Sequence, residues 1–195
     1  MSEFVENYFL EVISIAKSID YDEIEKIAIA LSDLRSRKGR VFFIGVGGSA
    51  GNASHAVNDF RKLCDIECYA PTDNISELTA RTNDEGWSSV FSSWLKTSNI
   101  NDKDAIFIFS VGGGNKEKNI SNNIIEAIEL AKNNNTNIYG IVGMKTGYTA
   151  LNSDNVVIVP DINSKMITPH SESFQSVVWH CLVSHPKLNI NKTTW

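Results

Sequence analysis

Cysteine is scarce in this sequence of 195 residues, which has only Cys64, Cys68 and Cys181. An odd, sparse set is not a disulfide framework. Cys64 and Cys68 have no second pair and no nearby histidine, so they do not make a zinc knuckle. They read as buried or half-buried thiols in a reducing cytosol. Positive charge is also short: 18 Lys and Arg stand against 23 Asp and Glu, for a net charge of −5 and a pI near 5.4. That balance argues against a protein that coats nucleic acid or an anionic membrane. It leaves an anionic small substrate open, because a few aligned backbone N–H groups hold a phosphate without net positive charge. No apolar run approaches the ~18–20 residues that span a bilayer. Residues 1–7 carry Glu3 and Glu6 and no basic stretch, unlike a signal peptide. The expectation is a soluble, cytoplasmic protein with no membrane and no nucleic acid among its partners.

What is present is an ordinary folding composition, 42% hydrophobic and 21% charged. The length suits one domain over residues 1–195. Residues 1–39 read as two helices. Phe4, Tyr8, Phe9, Val12, Ile13 and Ala16 recur at helical spacing, as do Ile24, Ile27, Ala28, Leu31 and Leu34. The first helix is apolar over a wide stripe yet precedes any sheet, which predicts burial in a helical bundle or a subunit interface. From residue 40 short apolar runs alternate with helical stretches. The runs are 41–44, 66–69, 105–109, 138–142 and 156–159. Near-continuous apolar strands separated by helices predict an α/β fold, a five-stranded parallel sheet covered on both faces. Helices are expected at 49–63, 76–81 with 88–96, 121–133, 148–152 and 168–184, with a polar tail over 187–195.

Two strands end in glycine clusters. The first is Gly45-Val46-Gly47-Gly48-Ser49, leading into a helix; the second is Ser110-Val111-Gly112-Gly113-Gly114-Asn115. Ligands of open parallel sheets bind beyond the carboxyl ends of strands, at helix N-termini. Glycine permits the tight turn and lets N–H groups approach an anion. Ser49 is placed at an N-cap, its hydroxyl free to cap or to bond a phosphate oxygen. No Gly-Lys-Ser/Thr follows either loop, and the dinucleotide spacing fails, so a nucleotide cofactor is disfavoured. Two such loops in one small domain point to a phosphate-bearing ligand.

His55 and Asp59 lie one helical turn apart on one face, spacing that suits a divalent metal or an acid–base pair. It also suits a routine surface pair. The last helix carries Glu172 and His180. Glu172 reads as a first-turn acid, His180 as a core histidine bonded to a carbonyl, and His170 and His185 as helix-end residues. Glu172 and His180 are about 12 Å apart along a helix axis. One regular helix does not bring both to one ion, so either a second subunit supplies one of them or only one is a ligand.

These residues, with Thr72-Asp73, Asn83-Asp84-Glu85-Gly86 and the loop after Ser110, resemble the sugar isomerase (SIS) domain over nearly the whole chain. Within it the sequence is most similar to phosphoheptose isomerases, which interconvert sedoheptulose 7-phosphate and D-glycero-D-manno-heptose 7-phosphate for surface glycans. The resemblance implies a flavodoxin-like three-layer sandwich. It implies a homotetramer with active sites at subunit junctions, the N-terminal helices forming a bundle, and a bound zinc ion. The implied metal ligands are His55, Asp59, Glu172 and His180. Asp59 is the implied base and His180 its acid partner. Gly47, Gly48, Ser49, Asp84, Ser110, Asn115 and Ser121 are the implied substrate contacts.

The match is uneven. Val46 stands for the family's Asn, Asp59 for its catalytic Glu and Glu172 for a metal-binding Gln. Val111 and Gly112 remove two hydroxyls from the second loop, and residues 116–120 are inserted before Ser121. A divergent branch, acting on this heptose or a related phosphosugar, is the expectation. A non-catalytic SIS adaptor or phosphosugar-binding protein is the alternative.

Overall fold

The structure, a computed structural model, describes residues 3–192. In chain order the elements are α1 (Glu3–Ser18), α2 (Tyr21–Ser36), β1 (Val41–Ile44), α3 (Gly48–Cys64), β2 (Cys68–Tyr69), α4 (Ile75–Asp84) and α5 (Val90–Thr97). Then follow β3 (Ala105–Ser110), α6 (Asn122–Asn133), β4 (Asn137–Val142), α7 (Tyr148–Asn152), β5 (Asn155–Ile158) and α8 (Ile167–Ser184). The five strands form one parallel sheet in the order β2-β1-β3-β4-β5. Successive side chains of β1 and β3 point to opposite faces, and both faces are covered. On one side Phe43, Phe107 and Phe109 pack with Phe60, Leu31 and Trp179 from α3, α2 and α8. On the other Phe42, Ile44, Ile106 and Ile108 pack with Phe91, Leu95, Ile124 and Ile128 from α5 and α6. This double burial is why the strands read as continuous apolar runs.

Local signals set the element ends. Asp20 caps α2 by accepting from the N–H groups of Asp22 and Glu23 at 3.0 and 3.1 Å. Asp65, in the left-handed region, ends α3 with its N–H on the Phe60 carbonyl. Two expectations change. β2 is confined to Cys68–Tyr69, because residues 66 and 67 make no ladder bond beyond Val41 N–H to the Glu67 carbonyl. The expected polar tail is docked as far as it is described. Leu188 is buried, Arg35 donates to the carbonyls of Lys187 and Leu188, and the N–H groups of Ile190 and Asn191 reach the Leu63 carbonyl. Residues 193–195 lie outside the described residues.

α1 is the least embedded helix. Ile15 is its only buried residue, while Phe4 and Phe9 are 66% and 61% exposed, with Leu10 and Ile13 beside them. One polar latch fixes its inner side. Glu11 accepts from Asn163 Nδ2 and from His170 Nε2, both at 2.7 Å, with Tyr8 against the imidazole. His170 is therefore a buried partner of α1 and not the helix-end residue expected from sequence. Donation from His170, then Asn163, holds the Glu11 carboxyl below its ordinary 4.5. A depressed folded pKa gives stability that is present above the unfolded value and lost as pH falls through the folded one. Amide exchange in α1 is accordingly expected to accelerate ahead of the sheet on acidification below 4.5. Equal protection of α1 at neutral and acid pH would contradict the latch.

Candidate functional site

The chain direction across the sheet reverses between β1 and β3, and the two glycine loops leave those two strands. That is where open α/β sheets form a ligand crevice. In the first loop Gly45 packs its Cα on the Ser49 carbonyl: a Cβ there would lie 2.3 Å from that oxygen. Gly47, with φ +63° and ψ −127°, is the N-cap of α3 in a conformation that L side chains rarely adopt. Ser49 is thus not the cap. It lies in the first turn of α3, buried.

The second loop is held from α7. Thr149 Oγ1 and N–H both donate to the Gly113 carbonyl at 2.8 Å, and Tyr148 N–H donates to the Gly114 carbonyl. Ser110 Oγ accepts from Gly113 N–H at 3.0 Å. Asn115 turns its carboxamide oxygen to Lys118 N–H and pairs with Ile120, so the inserted residues form a tight turn. Ser121, at φ +53°, precedes α6 and makes no cap bond with its hydroxyl. Asp84 is exposed at the end of α4 and accepts from Asn83 at 2.7 Å.

α3 and α8 lie side by side and run in the same direction. Gly48 meets Glu172, Asn52 donates to the Glu172 carbonyl and to Gln175 Oε1, His55 meets Trp179 and His180, and Cys64 lies by the Val183 carbonyl. This pairing brings His55, Asp59 and His180 together, each with one ligand atom within 4.8 Å of the others. Asp59 is 4% exposed, with Oδ2 at 3.9 Å from His55 Nε2 and Oδ1 accepting from Asn58 at 2.7 Å. His180 is exposed, not a core residue. Its Nδ1 lies 2.7 Å from the Ser176 carbonyl, which leaves Nε2 as the free ring nitrogen. Trp179 stacks on the His180 ring with centroids 3.5 Å apart. Two imidazoles and a carboxylate, one imidazole fixed through its other nitrogen, are a donor set for a divalent ion such as zinc.

Glu172 stands apart from these three. α8 begins at Ile167, so Glu172 lies beyond its first turn, and its carboxylate sits over Gly48. A Cβ on Gly48 would lie 2.5 Å from Glu172 Oε2. Asn58, Ser176, Trp179 and the Asn52–Gln175 bridge are absent from the sequence-derived site. Ser176 had a signal, since the carbonyl four residues back is always in reach of a helical side chain. The bridge had none, because it depends on how two distant helices pack.

The SIS domain family profile matches residues 7–143. Lincomycin biosynthesis protein LmbN of Streptomyces lincolnensis is 30% identical over 158 residues, which cover 75% of this chain and 56% of that protein. The chain thus spans just over half of LmbN. A phosphoheptose isomerase of Aneurinibacillus thermoaerophilus is 27% identical over 192 residues, covering 93% of this chain and 91% of that one. The structure of phosphoheptose isomerase GmhA from Neisseria gonorrhoeae superposes with a TM-score of 0.81 at 23% identity, over 93% of this chain and 97% of that one. At that identity the superposition speaks for the fold.

Proposed function

The chain belongs to the SIS domain family, and from that premise we propose that it is a phosphosugar isomerase. Its substrate pair is sedoheptulose 7-phosphate and D-glycero-D-manno-heptose 7-phosphate. The observation that carries this reading is the His55–Asp59–His180 cluster beside the switch-point crevice. Long relatives that share the whole chain and are named phosphoheptose isomerase add to it.

Aldose–ketose isomerisation removes a proton from the carbon next to a carbonyl and returns one to its neighbour. It needs a base, an acid near the oxygens and stabilisation of the enediolate. His180, with Nε2 free, donates to and accepts from the sugar oxygens. Asp59, oriented by Asn58, takes the carbon-bound proton. The glycine-loop N–H groups with Ser49, Ser110 and Ser121 hold the phosphate, which turns remote binding energy into positioning. Asn115 and Asp84 contact the sugar. His55, Asp59 and His180 would hold a divalent ion, zinc by its donor set, and that ion supplies Lewis-acid polarisation of the substrate oxygens.

The exposed apolar stripe of α1 calls for a cover. The proposed cover is α1 of further copies in a homotetramer whose sites lie at subunit junctions. No helix among the described residues is long and apolar enough to cross a membrane, and the proposed location is the cytoplasm. The test is incubation of the purified protein with sedoheptulose 7-phosphate, with separation of aldose from ketose and metal analysis of the same sample. A chelator is expected to abolish turnover and zinc to restore it. Failure to turn over any heptose or hexose phosphate, with no metal retained, would sink the proposal.

A further inference from the structure

We propose that Glu172 fixes the direction in which a phosphorylated substrate lies in the crevice: its carboxylate bars phosphate from the first glycine loop and accepts hydroxyl hydrogens there instead. The substrate half of this inference rests on the phosphosugar reading above; the exclusion of anions does not. A bare α3 N-terminus favours an anion, because its first N–H groups lack intrahelical acceptors and the helix dipole is positive there. This helix brings no acid of its own to that end, and its Gly47 cap has no side chain. Glu172 is delivered to it from α8 instead.

The delivery is built in. Asn52 Nδ2 donates to the Glu172 carbonyl at 2.9 Å and holds that point of α8 level with the first turns of α3. The carboxylate then lies so close that a Cβ at Gly48 would be 2.5 and 2.8 Å from its two oxygens. Only glycine leaves room for it. Among the described residues no hydrogen bond or ion pair engages those oxygens, so they keep their full capacity to accept.

A second anion brought to this place meets a fixed negative charge at close range. A sugar hydroxyl meets an acceptor. The second loop is the converse: from Ser110 to Asn115 it carries no carboxylate, and Gly113 and Gly114 have positive φ. The phosphate therefore goes to the second loop and the polyol to the first. Glu172 is also about 12 Å along α8 from His180, two turns away, and so reads the sugar without joining the metal cluster.

The test titrates inorganic phosphate, and separately sedoheptulose 7-phosphate, into wild type, E172Q and E172D, with metal content and melting temperature of each. Like-charge juxtaposition costs several kcal/mol, so E172Q is expected to bind inorganic phosphate at least ~10-fold more tightly than wild type. E172D, with the charge kept, stays with wild type, and metal content is equal in all three. Gly48→Ala gives a second route, pushing the flexible carboxylate off the loop, and is expected to raise phosphate affinity as E172Q does. Phosphate affinity unchanged in both E172Q and Gly48→Ala would overturn the inference, and so would loss of metal from folded E172Q. The two readings fail separately: absent turnover in wild type overturns the isomerase, and unchanged phosphate affinity in the variants overturns the selector.

Discussion

His180→Ala is expected to lower isomerase turnover by about 10²–10⁴-fold, the range for removing a positioned acid–base group. Bound metal is expected to fall with it, because one of three clustered donors is gone. The fold should survive. His180 is exposed, and surface side chains usually contribute within about ±0.5 kcal/mol. The loss would then be one of chemistry and metal, measured as turnover and metal content against an unchanged melting curve. His170→Ala is the contrasting control. That residue is buried against Glu11 and Tyr8, so its loss should loosen α1 and leave the metal in place. A His180→Ala protein with full turnover would remove the cluster from the mechanism.

The second large effect is predicted for Gly45→Ala. The new methyl would lie 2.3 Å from the Ser49 carbonyl oxygen and 2.8 Å from Ala50 N, both backbone atoms. No flexible side chain can yield, so the first turn of α3 must move. Overpacking of this kind costs about 1–3 kcal/mol and sometimes more, here at a helix that carries His55 and Asp59. Both stability and bound metal should drop, the first read by denaturant midpoint. Gly51→Ala, two turns from Asp59 and with open space around its Cα, should leave both unchanged. A Gly45→Ala protein as stable as wild type would show that the α3 start is not the rigid element described.

The sheet was legible because double burial writes itself into the chain. Runs such as Val41-Phe42-Phe43-Ile44 and Ala105–Phe109 have no polar alternation, and helical spacing between them dictates crossovers. The strand most misjudged, β2, is an edge strand with one neighbour, where apolar content outruns pairing. The helix pair His55–Asp59 was legible because one helical turn is a local distance. His180 was reached only through the resemblance. Its apolar neighbours Trp179 and Val178 predict a core position, and only the rotation of α8 on α3 shows that the ring is exposed. Glu172 was misplaced for the same reason. Sequence spacing measures distance along α8, whereas its carboxylate is positioned by what lies across from it, the bare Cα of Gly48.

The parallel docking of α8 on α3 also orders events during folding. Asp59 and His180 are most of the chain apart, and the Asn52 hydrogen bonds that register the two helices close that same long loop. Contacts so distant in sequence carry a loop-closure cost and form late. The strands and α3 can assemble while the chain still lacks a complete donor set. Metal uptake therefore becomes a reporter of the final docking step, and a refolding experiment in zinc should show the ion captured after, not during, formation of the sheet.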